Sequence, residues 1–168
     1  MKLPQAFTKN NEVNVIIETP FKSRNKFTYD EASGLFKLKK AIPDGLAFPC
    51  DFGFIPNTKG ADGDPLDVVL LIEDYTFPGC LVECRIIGVI KLEEKKPRAK
   101  KIRNDRFIAV PAETKDDSDI QHVNDLNKNK LKSITEFLSI YNYANKEIQI
   151  KGIAGPAQAL NLIKKQVI

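Results

Sequence analysis

The sequence predicts a mainly β protein of the α+β class, in which a small antiparallel barrel has helices packed outside it. Two observations predict this fold: short apolar runs separated by turn signals fill the first two-thirds of the chain, and helical periodicity is confined to the last third. A chain of 168 residues buries about 70% of its unfolded surface, which is enough for one core without a disulfide or a metal. We therefore expect a single domain spanning residues 1–168.

Six segments predict strands by their alternation or β-branched content: residues 13–18, 27–29, 35–38, 68–72, 81–92 and 107–110. The first is expected to be half-buried, because Val13, Val15 and Ile17 alternate with other side chains. The second and third flank a turn that contains Gly34, and they predict a hairpin. The fourth is aliphatic throughout, which is typical of a strand buried on both faces.

The last third of the chain predicts two helices with a short strand, residues 148–150, between them. Apolar residues at intervals of three and four give the first helix one apolar stripe, formed by Leu131, Ile134, Leu138 and Tyr141. Pro156 stands where it can open the second helix, which would carry Leu160, Ile163 and Val167.

Composition and motif content exclude several classes of protein. The longest aliphatic run is far shorter than the ~20 apolar residues of a membrane-spanning helix, and the first residues lack the apolar region of a signal peptide. Cys50, Cys80 and Cys84 form no Cys-x-x-Cys motif, so neither a disulfide framework nor a zinc site is encoded. We expect a soluble, cytoplasmic protein.

His122 is the only histidine, and it stands at the start of a short helical stretch. A hydrolase built on a Ser-His-Asp or Cys-His pair would have to use it, but the chain has no nucleophile-elbow motif. We therefore interpret His122 as an exposed or capping side chain.

Charge is distributed unevenly along the chain. The 26 Lys and Arg against 22 Asp and Glu give a net charge of +4, yet residues 91–106 alone hold eight basic and three acidic residues, a net of +5 that leaves −1 for the rest. A nucleic-acid-binding barrel would combine such a segment with exposed aromatic residues, and this segment has none. The segment is more typical of a solvated hairpin tip, in which Pro97 breaks the strand.

The densest chemistry lies in the sequence Gly60-Ala61-Asp62-Gly63-Asp64-Pro65-Leu66-Asp67. Carboxylates this close repel and raise one another's pKa unless cations neutralise them. Gly63 permits a sharp turn and Pro65 restricts φ, so the oxygens could converge as the hard donor set that Mg²⁺ or Mn²⁺ prefers. A solvated acidic turn is the other interpretation. We reject an EF-hand loop, because Asp67 occupies the position where that loop needs glycine.

Other motifs accompany this acidic loop in order along the chain. Upstream are Val15-Ile16-Ile17-Glu18-Thr19-Pro20 and Phe48-Pro49-Cys50-Asp51-Phe52-Gly53-Phe54-Ile55-Pro56, and downstream are Gly88-Val89-Ile90-Lys91, Ala109-Val110-Pro111 and Val123-Asn124-Asp125-Leu126. Together with Asp62-Gly63-Asp64-Pro65-Leu66-Asp67 they resemble motifs of the family I soluble inorganic pyrophosphatases, from about residue 13 to residue 152.

The resemblance implies a five-stranded OB-like barrel with flanking helices that hydrolyses pyrophosphate to two phosphates with several Mg²⁺ ions, Mn²⁺ being the other candidate. It also implies a homo-oligomer, since bacterial members of the family are often hexamers. The chemistry agrees with the residues. Cleaving a phosphoanhydride needs a nucleophile made from water and cations that neutralise the substrate, and clustered metals supply both.

The resemblance implies roles for eleven residues. Asp62, Asp64 and Asp67 would hold the activating metals, with Asp64 also the catalytic base near the attacking water. Glu18 would hold a substrate-associated metal. Glu94 and Asn104 stand for two further metal-binding aspartates. Five residues would bind phosphate: Lys26, Lys40, Arg106, Tyr141 and Lys146. Tyr141 would also be catalytic.

Several of these positions depart from the family pattern. Lys40 stands where Arg is usual, and Phe52 where Tyr is usual. Thr28 replaces a carboxylate and Asn142 replaces a Lys. The most serious departure is Asn104, which stands in place of an aspartate, while its neighbour Asp105 would face the opposite side of a strand.

These departures leave alternatives open. We favour an active Mg²⁺-dependent pyrophosphatase with a reworked site over a pyrophosphatase-like paralogue with reduced or altered phosphoanhydride activity. An OB-type nucleic-acid-binding module is the alternative from another class.

Overall fold

The computed structural model describes residues 3–113, 119–141 and 146–168. Within these ranges the chain forms nine strands: β1 (Val13–Thr19), β2 (Asn25–Asp30), β3 (Leu35–Ala41), β4 (Asp51–Ile55), β5 (Leu66–Leu70), β6 (Leu81–Lys95), β7 (Ile102–Arg103), β8 (Arg106–Pro111) and β9 (Glu147–Ala154). The same ranges contain two α-helices, α1 (Lys128–Ile140) and α2 (Pro156–Lys164), and a 3-10 turn at Val123–Asp125.

Five of these strands close into a barrel. β1 pairs with β4, β4 with β5, β5 with β8 and β8 with β6, and β6 returns to pair with β1. The predicted five-stranded barrel is therefore confirmed, although one of its pairs, β5 with β8, is parallel. β7 and β9 extend the sheet from β6, and β2 with β3 forms a separate two-stranded hairpin, as the turn at Gly34 predicted.

The β5–β8 pair is buried on both faces, as the aliphatic run predicted for β5. Alternate residues of the two strands contribute to two different apolar clusters. One cluster contains Val69 and Ile108 and packs with α1, and the other contains Val68 and Phe107 and packs with α2. Because successive side chains of a strand point to opposite faces, a strand that is covered on both faces needs a continuous apolar run.

The prediction of a half-buried β1 was wrong, because nearly every residue of the strand is buried. The cause lies in the segment before it. The backbone N–H of Asn14 donates to the carbonyl of Ala6, its side chain donates to the carbonyl of Gln5, and Phe7 forms a β-bridge with Val13. The N-terminal segment therefore covers Asn14, on the face that the sequence pattern assigned to solvent.

The predicted helices and their capping residues are confirmed. Pro156 occupies the first turn of α2 after Gly155. A backbone N–H at this position has no acceptor within the helix, so proline costs no hydrogen bond there. α2 ends at Lys164, so Val167 lies beyond it and forms a β-bridge with Thr58 instead. His122 caps the 3-10 turn, because its Nδ1 accepts a hydrogen bond of 3.0 Å from the backbone N–H of Asn124.

Two strands were not predicted. β4 contains Gly53 and is buried at every position, so it shows no alternation, and β7 is only two residues long. No helix within the described ranges is long and apolar enough to cross a membrane.

Replacing Gly53 with Ala should destabilise the barrel. A Cβ at this position would lie 2.3 Å from the backbone carbonyl oxygen of Ile16, and backbone atoms of paired strands cannot move away independently. We expect the free energy of unfolding to fall by at least about 2 kcal/mol, measured by urea denaturation.

Gly155→Ala is the matched control for this substitution. The three atoms nearest to its new methyl group all belong to the imidazole of His122, a side chain that can rotate away at the cost of its capping bond, so the loss should be about 1 kcal/mol. Equal losses in the two variants would contradict the role assigned to the β1–β4 contact.

Candidate active site

The acidic loop is a tight turn that leads into β5. Gly63 has φ = +92°, in the left-handed region that glycine adopts without strain. The backbone N–H of Gly60 donates to the carbonyl of Asp64 at 2.7 Å, and the N–H of Asp64 donates to Oδ1 of Asp62 at 3.2 Å. Asp62 and Asp64 are exposed in this turn, whereas Asp67 is half-buried on β5.

Glu18 approaches this loop from β1. Its Oε1 accepts hydrogen bonds from the backbone N–H of Tyr29 at 2.7 Å and from the hydroxyl of Thr28 at 3.1 Å. Burial raises the pKa of Glu18, and the charge of Asp67 adds to this increase. Partial desolvation raises the pKa of Asp62 as well, with a further contribution from Asp67. These carboxylates therefore carry a mutual repulsion that a cation would relieve.

One cavity of about 710 Å³, hereafter the site cavity, collects most of the predicted site residues. Ten of the eleven line it: Glu18, Lys26, Lys40, Asp62, Asp64, Asp67, Glu94, Asn104, Arg106 and Lys146. Segments far apart in sequence therefore bring carboxylates and cations to one place. The eleventh residue, Tyr141, is buried behind the lining and contacts the cavity's cations.

Arg106 is the most buried charge of the cavity, with 4% of its surface exposed. Its Nη1 lies 2.7 Å from Oδ2 of Asp67, and its Nη2 lies 3.2 Å from Oε1 of Glu94. Nη1 also donates to the backbone carbonyl of Asn104 at 2.7 Å. Burial alone would lower the pKa of Arg106, but the charge of Asp67 and the other groups around it outweigh burial and raise it.

Glu94 lies between two cations, because Lys146 also forms an ion pair with it. Burial opposes the ionisation of Glu94, but the hydrogen bond from Lys146 and the charge of Arg106 lower its pKa below the ordinary value. Glu94 is therefore a carboxylate at neutral pH. This arrangement also places Lys146 at the cavity despite its distant position in the sequence.

Asn104, and not Asp105, faces the site cavity. Asp105 accepts hydrogen bonds from the backbone N–H of Leu92 at 3.2 Å and from Arg103 at 2.8 Å. Both contacts hold its carboxylate away from the cavity, as the alternation of side chains predicted. The side chain of Asn104 instead accepts a hydrogen bond from Arg106. The cavity thus has an amide where Asp105 would have supplied a charge.

Tyr141 follows α1 and anchors two lysines of the cavity. The amino groups of Lys26 and Lys40 lie 5.3 Å and 5.9 Å from its ring centroid, within the range of a cation–π contact. Its phenol also interacts with the buried charge of Arg106. Burial opposes ionisation of the phenol, but the charges of Lys26 and Arg106 outweigh burial and lower the pKa of Tyr141.

The departure at Phe52 has a packing explanation. Its ring packs edge-on against Phe48 and Phe137, and Tyr141 stacks on Phe137 with a centroid distance of 4.8 Å. Phe52 is buried in this aromatic cluster and does not line the cavity, so its ring contributes to packing there. Thr28 supplies a hydroxyl to Glu18. Asn142 lies outside the described residues.

The site cavity also has lining residues that the sequence did not single out. Lys39 belongs to β3, and Lys96, Ala99 and Lys100 belong to the basic segment between β6 and β7. This segment is a hairpin tip, as predicted, since Glu93 pairs with Arg103 on the returning strand. Its charge run was the only signal available, and a charge run alone does not reveal which surface it faces.

Comparison with known proteins is consistent across sequence and structure. A family profile described as inorganic pyrophosphatase matches residues 15–168. The inorganic pyrophosphatase of Geobacillus stearothermophilus is 33% identical over 156 residues, which is 92% of each chain. That of Rickettsia typhi is 34% identical over 168 residues, covering 97% of this chain and 92% of the relative.

Solved structures give the same result. The inorganic pyrophosphatase of Thermus thermophilus superposes with a TM-score of 0.90 and 30% sequence identity, covering 99% of this chain and 95% of that one. The Helicobacter pylori structure gives a TM-score of 0.88 at 27% identity, covering 99% and 97% of the two chains.

In metal-free solution, Glu18→Gln should stabilise the protein at neutral pH. Because the folded-state pKa of Glu18 is raised above its ordinary value of 4.5, ionising the carboxyl costs more in the folded than in the unfolded chain. This cost is absent at pH values well below 4.5, where both states are protonated, and develops as pH rises. The variant avoids the cost.

Urea denaturation in EDTA across this pH range measures the effect. We expect the difference in free energy of unfolding between Glu18→Gln and wild type to favour the variant increasingly toward neutral pH. Glu31→Gln, which removes an exposed carboxylate at the cavity mouth, is the control. A variant less stable than wild type at neutral pH would contradict the assigned environment of Glu18.

Proposed function

Because this chain belongs to the inorganic pyrophosphatase family and hydrolyses pyrophosphate to two phosphates, we propose that the site cavity is its active site and that Mg²⁺ is its cofactor, with Mn²⁺ as the second candidate. The observation that carries this proposal is the convergence of carboxylates and cations on one cavity. Carboxylates suit divalent metals, and lysine and arginine suit phosphate oxygens.

The donor set of the cavity fits Mg²⁺. Burial raises the pKa values of Glu18 and Asp62, the charge of Asp67 raises them further, and a dication would relieve both effects. Among the residues that the structure describes, no three carboxylate, thiolate or imidazole groups form a ready-made cage. Mg²⁺ commonly needs only one or two protein carboxylates, because waters and substrate phosphates complete its octahedron. Asp62, Asp64, Asp67 and Glu18 would hold it, with Glu94 and Asn104 as further donors.

Bound metal ions would neutralise the substrate and lower the pKa of the attacking water. Asp64 accepts a proton from that water, a role supported by its exposure within the turn. Lys26, Lys40, Arg106 and Lys146 bind the phosphate oxygens and orient the substrate. Because Tyr141 is only 2% exposed, we propose that it acts through Lys26 and Arg106 as a positioning residue, and not by direct contact as the resemblance implied.

The paralogue with reduced or altered activity is the second candidate, and the contacts of Glu94 favour it. This carboxylate already neutralises Arg106 and Lys146, so fewer of its oxygens are available to a metal. Asn104 offers a carbonyl oxygen without charge. Weak metal binding at this end of the cavity follows from both features. The proposed nucleic-acid module lacks support, since aromatic residues are absent from residues 91–106.

Three further properties belong to the proposal. We expect residues 1–168 to act as a single domain and to assemble as a homo-oligomer, as large as a hexamer. The exposed Leu35 and Leu38 on β3 are apolar surface that such an assembly would cover. The free thiols of Cys50, Cys80 and Cys84 support a reducing, cytoplasmic location.

Asp67→Asn should abolish metal-dependent release of phosphate from pyrophosphate, a fall of at least about 100-fold. The amide keeps the shape of the side chain but removes the charge proposed to hold the metal. Phosphate release over a titration of Mg²⁺ measures the effect, and circular dichroism checks the fold. Asp44→Asn, an exposed residue paired with Arg24, is the control. Equal rates for wild type and Asp67→Asn at all metal concentrations would refute the assignment.

Asn104→Asp should lower the Mg²⁺ concentration needed for half-maximal rate by about tenfold, equivalent to about 1.4 kcal/mol. The substitution restores a charge to the end of the cavity near Arg106. The same metal titration measures it, with the exposed Asn10→Asp as a control that adds charge elsewhere. An unchanged midpoint would mean that another group already supplies this charge.

A further inference from the structure

The tip of the β6–β7 hairpin, residues 96–101, borders the site cavity. Lys96, Ala99 and Lys100 belong to this tip and line the cavity. All three are exposed, so they lie at its mouth and not in its floor. Two lysines of the basic segment, Lys96 and Lys100, therefore lie at the mouth of the site cavity.

A β-turn fixes the shape of the tip. The backbone N–H of Ala99 donates to the carbonyl of Lys96 at 3.1 Å, and Pro97 and Arg98 are the two central residues. Proline presets φ at the second position of such a turn, and Arg98 has φ = +61° at the third. The turn holds the residues on either side of it, Lys96 and Ala99, close together at the cavity mouth.

The cations of the cavity fall into an inner and an outer set. The inner residues are engaged: Arg106 pairs with Asp67 and Glu94, and Lys146 pairs with Glu94. Lys26 and Lys40 lie over the ring of Tyr141. The outer set consists of Lys39, Lys96 and Lys100, which are exposed and form no ion pair within the described part of the chain. Among the described lining residues, three carboxylates are exposed: Glu31, Asp62 and Asp64. Asp62 and Asp64 belong to the proposed metal site, which leaves Glu31 as the exposed carboxylate outside it.

We propose that Lys96 and Lys100 form an outer phosphate subsite that extends the substrates of this enzyme from pyrophosphate to linear inorganic oligophosphates, with tripolyphosphate as the shortest. The inference rests on the proposed active site. Two phosphoryl groups occupy the inner cations, and the next one along the chain reaches the mouth. A more highly charged anion gains most from the additional lysines.

The reaction at such a substrate is the same hydrolysis. The oxygen of water forms a bond to the terminal phosphorus of tripolyphosphate, and the bond from that phosphorus to the bridging oxygen breaks. The bridging oxygen leaves with pyrophosphate. The products are orthophosphate, pyrophosphate and one proton, so atoms and charge balance without any further reactant. The pyrophosphate is then a substrate of the inner site.

The test compares the double variant Lys96→Gln/Lys100→Gln with Lys101→Gln. Lys101 belongs to the same tip and has the same charge, but it bonds to Gln149 on β9 and does not line the cavity. We would measure kcat/KM for pyrophosphate and tripolyphosphate at one ionic strength, since exposed charges are screened by salt. The affinity of metal-free protein for tripolyphosphate would be measured by calorimetry.

We expect wild type to cleave both substrates. The double variant should lose about tenfold in kcat/KM for tripolyphosphate and less than about twofold for pyrophosphate, since each exposed charge contact contributes modestly. Its affinity for tripolyphosphate should fall in parallel. Lys101→Gln should match wild type in all three measurements.

Several results would overturn the subsite. One is an equal loss of kcat/KM for both substrates in the double variant, which would indicate general attraction of anions. Another is no loss of kcat/KM for either substrate. The third is an equal loss of kcat/KM in Lys101→Gln. Failure of the proposed function is distinguishable. In that case Asp67→Asn would release phosphate from pyrophosphate as fast as wild type, while calorimetry would still report whether tripolyphosphate binding depends on Lys96 and Lys100.

Discussion

The buried guanidinium of Arg106 is the constraint on which the site depends. A charge this deeply buried is tolerated only when ionic partners and hydrogen bonds surround it. Asp67 and Glu94 supply the charges, and Asn104 supplies two further oxygens. Asp67 is on β5, the register partner of Arg106 in the parallel pair, and Glu94 is on β6. The charge balance of the cavity and the pairing of the barrel strands therefore depend on each other.

This coupling gives the carboxylates two tasks. Asp67 must neutralise Arg106 and, by our proposal, also help to hold a metal, while Glu94 neutralises two cations at once. When phosphate and metal bind together, the phosphate would supply negative charge to Arg106 and Lys146. The metal would supply positive charge to Asp67 and Glu94. Bound substrate would therefore reorganise the ion pairs of the cavity without leaving a buried charge unpaired. The lowered pKa of Tyr141 reflects the same excess of positive charge on its side of the cavity.

Much of the architecture was predictable because its signals are local. Alternation and aliphatic runs located most strands, and Pro156 located the start of α2. β4 was missed as a strand because burial on both faces and an internal glycine remove the alternation that identifies one. The exposure of β1 was mispredicted for a related reason. The residues of a strand do not show whether another segment of the chain covers one of its faces.

The sequence by itself determined the barrel class, the acidic loop and, through motif order, the family. These depend on spacing between neighbours along the chain, which the sequence contains directly. Only the tertiary structure decided that Lys146 meets Glu94 and that Lys96 and Lys100 reach the mouth of the cavity. The physical reason is that side-chain direction follows strand register and pairing, and these are set by contacts between residues far apart in sequence.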